Sequence, residues 1–351
     1  MKVQIFVMTH KKFTPPSDDC YIPLYVGRAL GQDLGYMGDD TLDSISDLNP
    51  YYGELTGLYW LWKNYHETDI IGICHYRRYF VDEQRQLMTK EKYEESLKDT
   101  DVLVSDAVYT DIVCKENYAQ AHNVNDLLAA GEVIKELYPE DYEAFCRVIE
   151  GNKSYYGNLC VMRKDTFDSY CQWLFNIFFE LEKRVDVSGY DAYHKRLFGF
   201  LSEILLMVYI VARKLGVKEG NIGVTAEKAE TVEFKLAMGQ LVKTGQFSEA
   251  RNLFYEYQKI RPDIRLEMSD VRREIPDIEL ILYILEQEKQ NGLTGFYKVS
   301  NNLSELIVHL RSLKKIIKKQ IQEDDLSDIE EEYLLRNNVT TLAKEIIRLN
   351  L

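Results

Sequence analysis

Ile70-Ile71-Gly72-Ile73-Cys74-His75-Tyr76-Arg77-Arg78-Tyr79-Phe80 takes a short apolar run straight into a dense cluster of hydrogen-bonding and cationic side chains. The run has the composition of a strand buried on both faces. In open α/β sheets, ligands sit outside the C-terminal ends of the strands. Two adjacent arginines there suit an oxyanion such as a diphosphate, which planar guanidinium forks can grip. The stretch therefore predicts an α/β sheet with an anion-binding catalytic crevice at its edge.

Outward from this strand, Val3–Met8, Asp101–Val104 and Asn158–Met162 read as further strands. Strand-like and helix-like segments alternate from Lys2 to about Gly223, which predicts a layered α/β domain. Ahead of the central strand, Asn49 is placed to cap a helix that has Pro50 at its first position and runs to Asn64. Asn123–Tyr138 and Glu140–Glu150 read as helices separated by Pro139, and Lys164–Arg184 as a long amphipathic helix. Leu197–Leu215 follows as a helix that Gly216 is placed to stop.

After about Thr225 strand signals vanish, and helical periodicity continues with breaks at Thr244-Gly245, Pro262, Pro276 and Gln290–Gly295. The expected division is an α/β domain over residues 1–224 and an all-helical domain over 225–351. Within the latter, Met238–Arg251 resembles one tetratricopeptide-like hairpin, a unit that becomes convincing only at about three copies.

With 351 residues the chain has ample apolar sequence for a sizeable core. A formal net charge of -14 argues against a nucleic-acid partner, which needs many phosphate-neutralising Lys and Arg contacts. Six cysteines show no close Cys-x-x-Cys pair, which suits free thiols in a reducing compartment and argues against structural zinc. Val3–Met8 is too short, and lacks the small-residue cleavage pattern, for a signal peptide. Leu197–Ala212 contains Ser202 and Glu203 and falls short of the roughly 20 apolar residues of a spanning helix. A cytoplasmic protein, peripheral to the inner face of a membrane at most, is the expectation.

Three blocks carry a family resemblance. They are Asp40–Ser46 with Asn49, then Tyr52–Asn64 flowing into His75–Phe80, and last Asn158–Trp173 followed by Arg196, Gly199 and Glu203. The chain resembles the capsular and exopolysaccharide biosynthesis glycosyltransferases catalogued as domain of unknown function 4422. It differs from the usual pattern at Leu42, Ser44 and Gly53. The resemblance implies a GT-A-like, Rossmann-like glycosyltransferase domain that takes a nucleotide sugar, UDP-linked, and a glycan or lipid-linked acceptor in bacterial surface polysaccharide synthesis. Some members are associated with galactofuranose transfer. The implied donor-binding set is Thr9, His10, Asp43, Ser46, Asn49, Glu54, Lys63, His75, Tyr76, Arg77 and Arg78. Asn158, Asp186, Asp191 and Arg196 form the acceptor-binding set.

The residues themselves add detail. Many A-type enzymes hold a divalent cation at an acidic motif after the strand before the sugar site. Here that place carries His75-Tyr76-Arg77-Arg78, so no metal cofactor is expected: the arginines can stabilise charge developing on the leaving group. Either arginine could instead pair with Glu54, and His75 could be satisfied by backbone alone. Tyr59 and Trp62 read as core at helical spacing. Glu203, an acid inside an apolar helix, is the catalytic base candidate, with His75 beside it; a salt bridge to Arg196 or Arg213 is the alternative. In the tail, Leu310, Leu313, Ile316, Ile317 and Ile321 form an apolar stripe flanked by Arg311 and by lysines. It could lie on an anionic membrane or pack in a hairpin beside the acidic run that starts at Glu323. The rival to an enzyme is a non-catalytic sugar-binding or scaffolding module on a degenerate transferase fold.

Overall fold

The computed structural model describes residues 1–261, 270–322 and 324–351; the expected break at Pro262 and the acid Glu323 lie outside the described residues. The chain divides into two compact units, Met1–Thr225 and Ala226–Leu351.

The first unit is built on strands β1 (Val3–Thr9), β2 (Tyr21–Tyr25), β3 (Met37–Gly38), β4 (Ile70–His75), β5 (Arg78–Phe80), β6 (Val102–Ser105), β7 (Val108–Tyr109), β8 (Lys153–Ser154), β9 (Cys160–Arg163), β10 (Val217–Gly220) and β11 (Ile222–Val224). The main sheet has the order β10-β6-β9-β4-β1-β2-β3, extended by β5 on β4 and β11 on β5, while β7 and β8 form a separate ribbon. β1, β2, β3 and β4 are mutually parallel, and β9 runs antiparallel to both β4 and β6.

Alternation along the strands assigns the two faces. Phe6, Met8, Ile71, Ile73, Val104 and Met162 belong to one apolar core, and Ile5, Val7, Ile70, Cys74, Leu103 and Val161 to another. Burial on both faces explains why these strands read as unbroken apolar runs. Gly72 is required between them, since a Cβ there would stand 2.5 Å from Ile5 Cδ1 and 2.9 Å from Val161 Cγ2.

The first core is covered by α1 (Asn49–Tyr52), α2 (Leu55–Asn64), α4 (Cys114–Ala119), α5 (Val124–Leu137), α6 (Tyr142–Ile149), α7 (Lys164–Leu181) and α8 (Leu197–Arg213), whereas α3 (Lys90–Ser96) covers the other. Three expected details are corrected. The helix before β4 is not continuous from Pro50: Gly53, at φ 57° and ψ -132°, separates α1 from α2. Asn49 is not its cap either; its amide donates to Gly53 O at 2.7 Å and Thr56 Oγ1 at 3.2 Å, tying the halves together. Gly216 does not stop α8, because Lys214 takes the left-handed conformation and Leu215 N returns to Ile210 O at 3.0 Å.

The second unit contains α9 (Ala229–Lys243), α10 (Phe247–Ile260), α11 (Ile275–Gln290), α12 (Gly295–Val299), α13 (Leu303–Ile321), α14 (Asp328–Arg336) and α15 (Thr341–Leu349). α9 and α10 form the expected hairpin, turning at Gly245 with φ 72°. The apolar stripe of α13 is not available to a membrane: Leu310, Leu313, Ile316 and Ile317 are buried, and only Ile321 of the five is exposed. Three of its cations face carboxylates, Arg311 and Lys314 on Asp277 at 2.6 and 2.7 Å and Lys319 on Glu330 at 2.7 Å. Among the described residues no helix is long and apolar enough to cross a membrane.

Candidate active site

β4 ends at His75 and turns straight back into β5, with His75 opposite Arg78. His75 follows Ile71 and Ile73 in the alternation, so it projects to the face that α2 and α8 cover. Because β9 is antiparallel, its start lies at the edge where β4 ends, and Gly157-Asn158 stand beside His75-Arg78. Gly157 has φ 89°, and a Cβ on it would come within 2.9 Å of Arg78 Nη1. Glycine here admits both the left-handed turn and the close guanidinium.

Four chain segments meet at this edge. Asn158 donates through Nδ2 to Glu54 Oε1 at 2.7 Å and to Gly199 O at 3.1 Å, and its Oδ1 accepts from Ser202 Oγ at 2.9 Å. Glu203 Oε1 accepts from Gly157 N at 2.7 Å. Arg196 Nη2 lies 3.6 Å from Glu54 Oε2. The Gly53 break delivers Glu54 to the cluster, and a Cβ at Gly53 would meet the Arg196 guanidinium at 3.4 Å.

The electrostatics of this pocket set two groups apart. Burial pushes the Glu203 carboxyl up to about 7, with Glu54 adding to the rise and Arg78 and Arg196 opposing it. Burial likewise brings His75 down to about 4, so its ring is neutral at pH 7, and its Nε2 has no hydrogen-bond partner among the described residues. Burial works against ionisation of Glu54, but His75, Arg196 and the Asn158 amide outweigh it and hold this carboxyl below its ordinary value. The arrangement thus holds one ionised carboxylate, one carboxyl poised near neutrality, a neutral imidazole and three guanidinium groups.

The predicted site residues separate into groups. His75, Arg77, Arg78, Glu54, Asn158, Arg196 and Glu203 come together at this edge. Tyr76 packs edge-on to His10 at 5.5 Å at the C-terminal end of β1. Thr9 closes a local turn there, its hydroxyl donating to Lys11 O at 2.6 Å. Asp43 and Lys63 stand at the far end of α2: Asp43 accepts from Tyr59 Oη at 2.8 Å, and Lys63 Nζ lies 3.7 Å from the Trp62 ring centre. A helix of 10 residues is about 15 Å long, so they are separated from Glu54 by most of that length. Asp186 and Asp191 shape the loop before α8, accepting from Ser188 N at 2.9 Å and from Tyr193 N at 2.8 Å. Neither expected salt bridge of Glu203 is its closest bond, and Arg213 is engaged elsewhere, bidentate on Asp141 at 2.5 and 2.9 Å.

Sequence reasoning missed Asp39. Its buried carboxylate accepts from Gly27 N at 2.9 Å, Arg28 N at 3.2 Å, Ser46 Oγ at 2.5 Å and Thr56 Oγ1 at 2.6 Å. Ser46 is thereby a member of this hub, and Asn49 borders it through Thr56. The hub ties the loop after β2 to α2, and Gly38-Asp39-Asp40 gave no more than a turn signal.

A mixed sheet covered on both sides, with a polar crevice where its parallel strands end, defines the class of α/β fold. Over residues 4–214 the chain matches the family described as Domain of unknown function (DUF4422), and it belongs to that family. No curated protein matches it. Among solved structures it is similar to the WbbM bifunctional glycosyltransferase apo structure, at 30% identity and a TM-score of 0.61, over 65% of this chain and 46% of that one. The chain thus spans about half the length of that neighbour. The α/β unit shares its fold with a glycosyltransferase structure, as the resemblance implied.

Proposed function

We propose that the chain is a glycosyltransferase that moves a hexose from a UDP-linked donor to a hydroxyl of a glycan or lipid-linked acceptor in bacterial surface polysaccharide synthesis. The observation that carries this reading is the pairing, at one strand edge, of a carboxyl poised near neutrality with an arginine cluster. In a single inverting displacement the acceptor oxygen attacks the anomeric carbon and gives its proton to Glu203, while the bond to the nucleoside diphosphate breaks. Arg77 and Arg78 stabilise the charge that develops on the departing phosphate, and neutral His75 can donate a hydrogen bond to it. Glu54, held by Asn158 and Arg196, positions the arginine rather than taking the proton.

In this reading the arginines do the electrostatic work of a divalent ion. Among the described residues, the group of acids spaced for one is Glu227, Asp270 and Glu274 in the helical unit. Lys235 Nζ already sits on all three, at 2.7, 2.7 and 2.8 Å. UDP-galactofuranose is the donor to try first, on the strength of the family resemblance.

The test is a thermal-shift and turnover screen against UDP, UDP-galactofuranose and other UDP-hexoses, with excess chelator or with Mn²⁺. Stabilisation by UDP together with chelator-resistant transfer or slow donor hydrolysis is expected. Nucleotide binding with no turnover of any donor would favour the non-catalytic module, and complete chelator inactivation reversed by Mn²⁺ would overturn metal independence.

A further inference from the structure

α8 presents Phe200 and Glu203 three residues apart on one helix face, and Arg196 immediately precedes its first turn. At the Phe200 end of that face the structure has a cavity of about 160 Å³, bordered by Tyr118, His122, Asp126, Tyr190, Leu197 and Phe200. One wall is an aromatic pair: the His122 ring stacks on Phe200 with centres 4.2 Å apart and planes 28° apart. The other walls are polar. Asp126 Oδ2 accepts from Tyr190 Oη at 2.7 Å, and that hydroxyl accepts from Asn123 Nδ2 at 2.7 Å. Tyr118 is 6% exposed, yet its hydroxyl has no hydrogen-bond partner among the described residues.

A buried hydroxyl left unpaired is unfavourable, so a position that keeps one beside a cavity is shaped for a polar visitor. Aromatic faces opposite a carboxylate and hydroxyls match a pyranose ring, which offers apolar C–H faces and a rim of hydroxyls. The charges of Asp126 and Glu203 both act on the Tyr118 hydroxyl, which places the cavity within electrostatic range of the base. It also lies on the α8 side of the sheet, whereas nucleotides in folds of this kind meet the ends of the first strands.

We infer that this cavity is the acceptor's ring subsite: Phe200, backed by the His122 ring, stacks on one pyranose ring, Tyr118 and the Asp126-Tyr190 pair bind its hydroxyls, and α8 sets its reacting hydroxyl against Glu203. This rests on the transferase reading above and adds the acceptor class, a pyranoside, and the residues that select it. The loop carrying Asp191 acts as the rim of the subsite.

The test is saturation-transfer NMR on the full chain with UDP present, using methyl β-galactopyranoside, methyl β-glucopyranoside and methyl α-mannopyranoside as probes, with UDP binding followed separately by thermal shift. The wild type should transfer saturation to the ring protons of at least one glycoside. Tyr118→Phe, which loses no internal hydrogen bond, should weaken that glycoside about 3–10-fold. Phe200→Leu should weaken it about 5-fold or more by removing the stacking face, and both variants should keep the UDP-induced shift. Binding of UDP but of no glycoside would overturn this inference while leaving the transferase reading in place. Loss of UDP binding in Tyr118→Phe or Phe200→Leu would overturn it by assigning the cavity to the nucleotide. If the wild type binds neither UDP nor glycoside, the transferase reading fails along with it.

Discussion

Replacing Glu203 with Gln separates what the site demands of the fold from what it does for turnover. Burial moves the carboxyl from 4.5 to about 7. Between those pH values the native protein holds a proton that the unfolded chain has released, so this group's contribution to stability falls as pH rises through the window. Above it the buried carboxylate costs about 3 kcal/mol, at about 1.4 kcal/mol per tenfold change in proton affinity. Gln carries no charge to desolvate, and its Oε1 still accepts from Gly157 N, a bond of 2.7 Å in the native protein. Arg78 loses a countercharge, which takes back part of the gain. The expected net effect at pH 8 is a stabilisation of about 1–3 kcal/mol, a rise in Tm of about 3–10 °C for a unit of this size. At pH 4 the gain should vanish, because the carboxyl is then largely protonated in both states. Turnover should fall about 10²–10⁴-fold with UDP binding retained. Differential scanning fluorimetry at the two pH values, paired with a transfer assay, makes the measurement. A variant destabilised to the same extent at both pH values would refute the reasoning and make Glu203 a structural ion-pair partner.

Three further outcomes are expected. Arg78→Ala should slow transfer about 10²–10³-fold and move the acid limb of the pH–rate profile upward, since Glu203 loses a cation that favours its ionised form; an unmoved limb would disconnect the two residues. Asp39→Ala should lower stability by about 2–4 kcal/mol in urea denaturation, because four donors, three of them buried, lose their acceptor, and an unchanged midpoint would mean that the hub is redundant. Ending the chain at Thr225 should leave a folded, UDP-binding unit, whereas ending it at Gly220 should not, because β11 is then lost from β5; the check is limited proteolysis together with a UDP thermal shift.

The strands legible in the sequence were β1, β4, β6 and β9, whose two-face burial leaves continuous apolar runs. The others were invisible for local reasons. β3, β7 and β8 have two residues each, β2 contains Pro23, and Val217-Lys218-Glu219-Gly220 of β10 carries charge on a half-exposed edge. Glu203 could be found because an acid within Phe200–Met207 contradicts its surroundings. The distance of Lys63 from Glu54 follows from the length of one helix, whereas that of Asp43 was not legible, since it rests on the fold bringing Asp43 to the Tyr59 hydroxyl. Nothing in the sequence singles out Tyr118 or Phe200, and only the fold shows the hydroxyl of one to have no partner among the described residues and the other to wall a cavity.

The antiparallel course of β9 bears on how this family can change. Its register on β4 sets Ile70 against Arg163, Ile71 against Met162, Gly72 against Val161 and Ile73 against Cys160. That pairing, rather than a loop, fixes where Asn158 stands relative to His75. A one-residue slip would turn each side chain of β9 to the opposite face, taking the carboxamide off Glu54 and taking Val161 out of the space beside Gly72 that it fills together with Ile5. Substitutions around the crevice can be absorbed one at a time. A single-residue insertion or deletion in β4 or β9 cannot, so length variation among relatives should collect in the connecting loops and spare these two strands.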